Sequence, residues 1–309
     1  MLTKHLKARF CKDKKINITL FDEPYFTERL ELFDKLDEYR QFEKLIETRF
    51  NGSEEEYFEY YNKIKDKIIN YIKESAAFKH LNKCDMNEYA VKNNFRQGDV
   101  YKVPFIGKKF ISIDMIKANF SSIVAYGKMI GTDFNDGSFD WNKFMQRFTD
   151  IEYFYDSKYI RQVVFGNCNC KGQITFEKYL MDKFFNELDI DDKAVVSFCS
   201  DEIILDLELI SEDKLRDIDD KARRFGLPLR VTKFKLGSIE GTKVFIKEIL
   251  NENGYNTREI KCANPVHYVF AKRLLENQKI TDNDLVFYSE YGRARLEEIP
   301  EIRMNFGDT

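Results

Sequence analysis

Acidic residues end or interrupt two apolar segments of this chain that are rich in β-branched residues. The segment Phe110–Asp114 runs straight into a helix-like stretch, and Asp201-Glu202 separates two apolar runs within residues 194–207. Burial of a carboxylate is unfavourable unless the charge is paired or bound to a cation. Two such strands side by side would hold three acids at one edge of a sheet, which suits divalent metal ions and phosphoryl transfer.

Each acidic segment also has a simpler local explanation. Asp114 lies where a strand becomes a helix, so it can serve as a helix N-cap. Asp201 and Glu202 can occupy an ordinary hairpin turn, where serine and aspartate are common. The two segments together, in this order and with helical patterns between them, favour a shared site over either local explanation.

The composition is that of a folded chain with no overall attraction to nucleic acid. Apolar residues make up 43% and aromatic residues 15% of the 309 residues, enough for one large domain or two to three smaller ones. The formal net charge is −3. A protein that coats nucleic acid is usually basic, so any nucleic-acid site must be a local patch.

The cysteines and the hydropathy pattern favour a cytoplasmic protein that does not contact membranes. Among the six cysteines only Cys168 and Cys170 are close in sequence, and a Cys-x-Cys pair without a second pair is a poor zinc signature. We therefore expect reduced thiols. No apolar run approaches the roughly 18 residues that span a bilayer, and the N-terminus lacks the apolar stretch of a signal peptide.

The pattern of apolar residues divides the chain into three regions. Residues 1–95 are predicted to be helical, with a helical hairpin over residues 25–80 that breaks at Asn51-Gly52-Ser53. Ser53 followed by Glu56 is typical of a capping box. Residues 96–240 form the second region and residues 241–309 the third.

Strand and helix patterns alternate in the second region. A hairpin is predicted over residues 100–113, and a glycine-bearing loop over 166–172. The order from residue 110 to 236 is β-α-(loop)-α-β-β-α-β. This order predicts an α+β fold in which an antiparallel, split βαβ sheet carries its helices on one face.

Four segments in this region resemble, in order, the motifs of reverse transcriptases and related palm-domain polymerases. Residues 110–123 resemble motif A, with an aspartate at a strand end ahead of an alanine and an aromatic residue, and residues 199–205 resemble motif C. Residues 165–176 lie where motif B belongs, and residues 222–235 resemble motif D. The resemblance covers roughly residues 100–240.

Three features depart from the motifs of that family. The motif C segment reads Ser-Asp-Glu rather than two aspartates, and the motif B segment lacks the usual Leu-Pro-Gln-Gly. Asn119 stands where reverse transcriptases carry a bulky residue that excludes ribose. A small polar side chain can hydrogen-bond a 2′-hydroxyl, so we expect ribonucleotides to be tolerated or preferred.

The resemblance implies a polymerase-type palm over residues 96–240. The helical region 1–95 would serve as fingers or as an interaction module, and residues 241–309 would take the place of a thumb. The implied activity is two-metal nucleotidyl transfer with Asp114, Asp201 and Glu202 as catalytic residues. Asp114, Asp201 and the backbone carbonyl of Met115 would be metal ligands. Mg²⁺ is the expected cofactor, and Mn²⁺ could replace it.

The implied partners are nucleoside triphosphates and a nucleic-acid primer and template. The residues expected to contact the nucleotide are Asn119, Phe120, Arg161, Gln162, Lys171, Lys233 and Lys235. Residues 221–235 contain six basic residues and no acid, and the side chains expected to contact nucleic acid are Lys221, Arg223, Arg224 and Arg230.

Two other functions are compatible with the same residues. A palm-fold protein could bind nucleic acid or a protein partner without catalysis, which the incomplete motif B favours. A palm-type cyclase or oligonucleotide synthase would act on nucleotides alone. That enzyme should have a small basic surface and no groove leading to the acids.

Overall fold

The N-terminal region is helical, as the sequence predicts, but it contains more helices than one hairpin. The computed structural model describes residues 2–251 and 256–307. The helices of this region are α1 Lys4–Lys14, α2 Tyr25–Leu32, α3 Leu36–Phe50, α4 Glu54–Glu74 and α5 Ala76–Leu81.

Local backbone geometry explains where these helices end. The predicted break is confirmed, because Asn51 adopts a left-handed conformation (φ 51°) and the Ser53 hydroxyl accepts the N–H of Glu56 at 3.2 Å. The prediction of one helix before the break was wrong, because Asp34 is left-handed (φ 53°) and separates α2 from α3. The second helix was predicted to end at about Lys73, and α4 ends at Glu74, where extended Ser75 caps α5.

Seven further helices are described in the rest of the chain. They are α6 Ala118–Met129, α7 Trp141–Met145, α8 Tyr153–Asp156, α9 Lys158–Cys168, α10 Gln173–Leu188, α11 Glu212–Arg224 and α12 Pro265–Leu275. The predicted loop over residues 166–172 was too long. Helix α9 continues to Cys168, and left-handed Asn169 (φ 53°) ends it.

The strands form one large antiparallel sheet and a separate hairpin. They are β1 Lys109–Met115, β2 Val195–Phe198, β3 Glu202–Asp206, β4 Leu229–Ile239, β5 Phe245–Ile249, β6 Thr257–Lys261, β7 Val286–Ser289, β8 Gly292–Arg295 and β9 Met304–Asn305. The order in the large sheet is β2-β3-β1-β4-β5-β6, and β9 pairs with β4. Strands β7 and β8 pair only with each other among the described strands.

The central four strands contain two split βαβ units. Strand β1 lies between β3 and β4 and is antiparallel to both. Strands β1 and β2 are therefore parallel, joined through α6–α10 and separated by β3. Strands β3 and β4 are likewise parallel, joined through α11 and separated by β1. The predicted order of the four strands and the α+β class are confirmed, although five helices and not two lie between β1 and β2.

The two faces of the sheet are covered differently. Ile111, Ile113 and Met115 belong to the main core, which they share with the helices. Phe110 lies on the opposite face, in a smaller core with strand residues of β3, β4 and β5 and with Val100. The helices thus pack on one face, as expected. The predicted hairpin was wrong, because residues 100–106 form no strand and instead cover this second face with one 3₁₀ turn at Val103–Phe105.

The sheet continues through the expected boundary at residue 240. Strand β4 reaches Ile239, and β5, β6 and β9 all follow in sequence and extend the same sheet. The N-terminal helices also share the main core with β1 and β3. Within the described residues, no helix is both long and apolar enough to cross a bilayer.

A buried ion cluster joins the N-terminal helices to the C-terminal region. Asp284 is fully buried and contacts Arg29 of α2 at 2.6 Å and Arg273 of α12 at 3.0 Å. Burial by itself raises the pKa of Asp284. The Thr281 N–H and the two guanidinium groups more than offset it, so the pKa lies below its ordinary value.

Replacement of Asp284 by asparagine is expected to destabilise the fold by about 3–5 kcal/mol, because it leaves buried Arg29 without its counter-charge. Chemical denaturation measures the loss. Asp282→Asn is the matched control, since the Asp282–Arg295 pair is exposed and should contribute less than about 1 kcal/mol. Equal, small losses in both variants would show that the cluster does not stabilise the fold.

Candidate active site

The register of the sheet brings Asp114 and Asp201 to the same end of neighbouring strands. Asp114 is the second-last residue of β1, and its Cα lies opposite Glu202 of β3 and Arg230 of β4. Asp201 lies in the turn between β2 and β3, and its carbonyl oxygen accepts the N–H of Met115 at 2.8 Å. The two segments that carry the predicted acids are therefore adjacent, although 87 positions separate them in the chain.

Asp114 and Asp201 line a single polar cavity of about 450 Å³. Most of its lining comes from the turn between β1 and α6, from α9 and from the end of α1. The predicted site residues that line it are Asp114, Met115, Asn119, Arg161, Gln162, Asp201 and Arg230, and the others are Lys15, Ile116, Lys117, Ala118 and Lys158.

The structure excludes the helix-cap explanation for Asp114 and supports the hairpin-turn explanation for Asp201. The residue at the N-cap of α6 is Lys117 and not Asp114. Asp201 does lie in a hairpin turn, which the 2.8 Å hydrogen bond from the Cys199 N–H to the Glu202 carbonyl closes. Asp114 thus has no capping role, whereas Asp201 combines a turn position with a place in the cavity.

Asp114 is held in an ion pair. Nη2 of Arg230 contacts Oδ2 of Asp114 at 2.7 Å. Burial raises the pKa of Asp114, Arg230 lowers it and the nearby Asp201 raises it, so that it lies above its ordinary value. The guanidinium therefore supplies positive charge at a carboxylate that could otherwise hold a metal ion.

Glu202 lies beside Asp114 but does not line the cavity. Its Oε1 accepts a hydrogen bond from the Ser112 hydroxyl on the same face of the sheet. Burial raises the pKa of Glu202, and the Ser112 hydrogen bond opposes that rise. Burial also lowers the pKa of neighbouring Lys247, against the effect of Glu202. No motif in the sequence indicated Lys247, which belongs to β5.

The bend between β1 and α6 presents a helix N-terminus to the cavity. Lys117 is left-handed (φ 53°), which turns the chain sharply out of the sheet, and α6 begins at Ala118. Ile116 is fixed on the neighbouring strand segment, because its N–H donates to the Pro228 carbonyl at 2.8 Å. The first N–H groups of a helix are unpaired within the helix and carry partial positive charge, which favours anions.

A buried polar cluster behind α6 supports this turn. Nε2 of Gln173 donates to the Asn119 carbonyl at 2.9 Å and to Glu177 at 3.0 Å. Burial raises the pKa of Glu177 to about 7, with Asp201 adding to the rise and Gln173 and Ser122 opposing it. The mostly apolar sequence of α10 did not indicate a role for Gln173 and Glu177. Their spacing of four residues, which places both on the buried face of the helix, is the signal that could have identified them.

The opposite wall of the cavity is basic. Lys158, Arg161 and Gln162 come from the start of α9, and Lys15 follows α1. Among the described residues, no acidic side chain lies within 4.0 Å of Lys15, Lys117, Lys158 or Arg161 in an ion pair. Burial lowers the pKa of Arg161, and burial together with Arg161 lowers that of Lys117.

Several residues predicted to contact the nucleotide lie elsewhere. Phe120 is fully buried against Trp141 and other rings of the core. The Lys171 N–H faces Asn82 in the loop before α10. Lys233 and Lys235 pair with Ile111 and Lys109, so they lie on the other face of the sheet from Asp114. Lys235 is five positions from Arg230, about 16 Å along the strand.

The basic run at residues 221–224 is neutralised by acids one turn earlier. Lys221 pairs with Asp217 at 2.9 Å, and both Arg223 and Arg224 contact Asp220. Helical spacing of three and four residues brings these charges together. Of the four residues predicted to contact nucleic acid, Arg230 is the one that lines the cavity.

The donor set suits a hard divalent cation with additional ligands from solvent or substrate. Asp114, Asp201 and the chain at Met115 supply oxygen atoms to one cavity. Mg²⁺ binds one or two carboxylates together with phosphate oxygens and waters. No cluster of three or more His, Cys, Asp or Glu side chains that could hold a metal is found in the residues the structure describes. Asp114 and Asp201 are thus the two carboxylates that line this cavity.

Replacement of Arg230 by glutamine is expected to raise the pKa of Asp114 further, because the guanidinium now lowers it. NMR titration of the Asp114 carboxyl carbon measures this shift. Arg224→Gln is the control, since Arg224 contacts Asp220 on α11. An unchanged Asp114 pKa in Arg230→Gln would show that the ion pair does not persist in solution.

No protein-family model, no curated protein and no solved structure matches this chain.

Proposed function

We propose that this protein is a metal-dependent nucleotidyltransferase of the palm type, which extends a nucleic-acid strand with nucleoside triphosphates. The observation that carries the proposal is the shared cavity of Asp114 and Asp201, bounded by a helix N-terminus and a basic wall. The acids would hold cations, and the surrounding positive groups would hold phosphates.

The sheet supports the palm assignment. The resemblance to palm polymerases requires motif A on a central strand and motif C on a neighbouring hairpin. Here β1 carries Asp114, and the β2–β3 hairpin next to it carries Asp201. The helices cover the opposite side of this central strand. The order of the strands and the position of the acids thus agree with the proposed architecture.

The charge balance of the cavity supports a polyanionic substrate. Lys15, Lys117, Lys158, Arg161 and Arg230 face two carboxylates. A triphosphate would offset this excess, and the volume of about 450 Å³ lies within the range of small-molecule sites. The N–H groups at the start of α6 add donors for phosphate oxygens.

Each residue then has a defined part in the reaction. Bound at Asp114 and Asp201, two Mg²⁺ ions would supply activation of a 3′-hydroxyl and neutralisation of the leaving pyrophosphate. With a cation bound at Asp114, Arg230 would be available to bind phosphate. Arg161 and the α6 N-terminus orient the triphosphate, and Asn119 lies at the sugar.

A second cavity favours strand extension over a reaction of nucleotides alone. It has a volume of about 820 Å³ and lies between the N-terminal helices and the segment of β6 and α12. Lys15 lines both cavities, so the larger one lies beside the cavity of the two acids. A cyclase or oligonucleotide synthase needs no such groove, whereas a primer and template do.

Loss of either aspartate is expected to reduce nucleotide incorporation into a primer–template at least about 100-fold, because several kcal/mol of charge stabilisation disappear. Asp114→Asn and Asp201→Asn test this with Mg²⁺ and with Mn²⁺. Asp206→Asn is the control, since Asp206 lies on β3 opposite Phe110, at the far end of β1.

The same assay separates the competing functions. Normal incorporation by both aspartate variants would exclude the proposed site. Primer–template binding without incorporation by the wild-type protein would favour a non-catalytic binding protein. Strand binding that weakens steeply with salt supports extension. Products formed from nucleotides without any strand would favour a cyclase or synthase.

Replacement of Asn119 by phenylalanine is expected to shift the preference towards deoxyribonucleotides at least about tenfold, because a bulky ring would collide with a 2′-hydroxyl. Competing ribo- and deoxyribonucleoside triphosphates in one extension assay measure the ratio. Asn167→Phe, on the exposed side of α9, is the control. Strong exclusion of ribonucleotides by the wild-type protein would contradict the prediction.

A further inference from the structure

Lys15 connects the N-terminal helix to the candidate active site. It follows α1 in a left-handed conformation (φ 55°), and its N–H donates to carbonyls of the last helical turn. The chain then leaves the helix axis, so Lys15 lines the cavity of Asp114 and Asp201 as well as the larger cavity beside it. The side chain of its neighbour Lys14 instead forms an ion pair with Glu38 at 2.7 Å.

Basic residues surround Lys15 on the side of the candidate active site, whereas the larger cavity also contains Glu248, Glu259 and Glu276. Lys158 and Arg161 of α9 and Lys261 of β6 lie close enough to oppose its charge. Lys117 and Arg230 line the same cavity, and so do the two acids Asp114 and Asp201. Burial lowers the pKa of Lys15 to about 7, and Lys158, Arg161 and Lys261 lower it in the same direction.

A buried hydrogen-bond cluster keeps Lys15 in this unfavourable place. Asp13 accepts from Arg9 at 2.8 Å, from the Tyr153 hydroxyl at 3.0 Å and from the Ser157 hydroxyl at 2.6 Å. Ser157 also accepts the N–H of Ile160 and so caps α9. The end of α1 is thereby fixed to the start of α9, which holds Lys15 near Lys158 against their repulsion.

We propose that Lys15 binds the phosphates of the nucleotide, so that helix α1 completes the active site. This inference rests on the proposed function, because it takes the ligand of the cavity to be a polyphosphate. Unpaired like charges held together by a rigid scaffold destabilise the free protein and favour a polyanion that relieves the repulsion. Lys15 is the one cation of the cavity that the N-terminal region supplies.

Proton uptake is the distinguishing consequence. A triphosphate beside Lys15 adds negative charge, which raises the pKa of this lysine towards its ordinary value. At pH 8 the free protein carries Lys15 largely in its neutral form, because its pKa is about 7. Binding at pH 8 is therefore expected to take up more protons than binding at pH 6.

Isothermal titration calorimetry with inorganic tripolyphosphate and Mg²⁺, in buffers of different ionisation enthalpy, measures both affinity and proton uptake. Lys15→Met is expected to weaken binding at least about tenfold and to abolish the uptake at pH 8. Lys15→Arg keeps the charge, so it should bind tripolyphosphate without taking up a proton. Lys14→Met is the matched control and should behave like the wild-type protein.

Thermal unfolding without ligand provides a second measurement. At pH 6, where Lys15 is mostly protonated, Lys15→Met is expected to melt at the same or a higher temperature than the wild-type protein, because it removes a repulsive charge. Wild-type affinity and proton uptake in Lys15→Met would overturn the proposal, as would a wild-type protein that does not bind tripolyphosphate. Primer extension that stays intact in Lys15→Met but fails in Asp114→Asn would reject the role of Lys15 and retain the proposed function.

Discussion

The antiparallel pairing of β1 with both β3 and β4 is the constraint on which the site depends. Because β1 is the central strand, one residue near its end, Asp114, meets an acid on one neighbour and a guanidinium on the other. The same register brings the Asp201 turn beside Met115. A shift of one residue would turn Asp114 to the helix-covered face, where its charge would be buried among apolar side chains.

The cavity contains both an attractive ion pair and several basic side chains that repel one another. Arg230 neutralises Asp114, while the other basic residues of the cavity form no ion pair within 4.0 Å with an acidic side chain of the described residues. Such an arrangement is unfavourable in isolation and persists only where the surrounding structure holds it. Here the scaffold consists of the Asp13 cluster beneath the basic wall and the Gln173–Glu177 pair behind α6. Both are buried and rigid, so the cavity is organised before any ligand binds.

The elements that carry the site followed from local patterns in the sequence. The alternation around Phe110–Asp114 predicted β1, the apolar runs beside Asp201 predicted the β2–β3 hairpin, and Ser53 predicted the start of α4. Where the predicted secondary structure was wrong, a tertiary contact or a single backbone angle had overridden the local sequence pattern. Residues 100–106 look like a strand but pack their apolar side chains over the sheet, and left-handed Asp34 ends α2 in a pattern that stays helical.

The sequence alone determined which residue types were available, which of them lay at strand ends, and the order of strands and helices, because periodicity and capping act over a few residues. The tertiary structure decided which charges meet. Lys15, Lys158 and Arg161 come from separate segments that only the packing of α1 on α9 brings together. Lys233 and Lys235 are distant from the acids because a strand alternates its faces. Electrostatic interactions depend on distance in space, which the sequence does not contain.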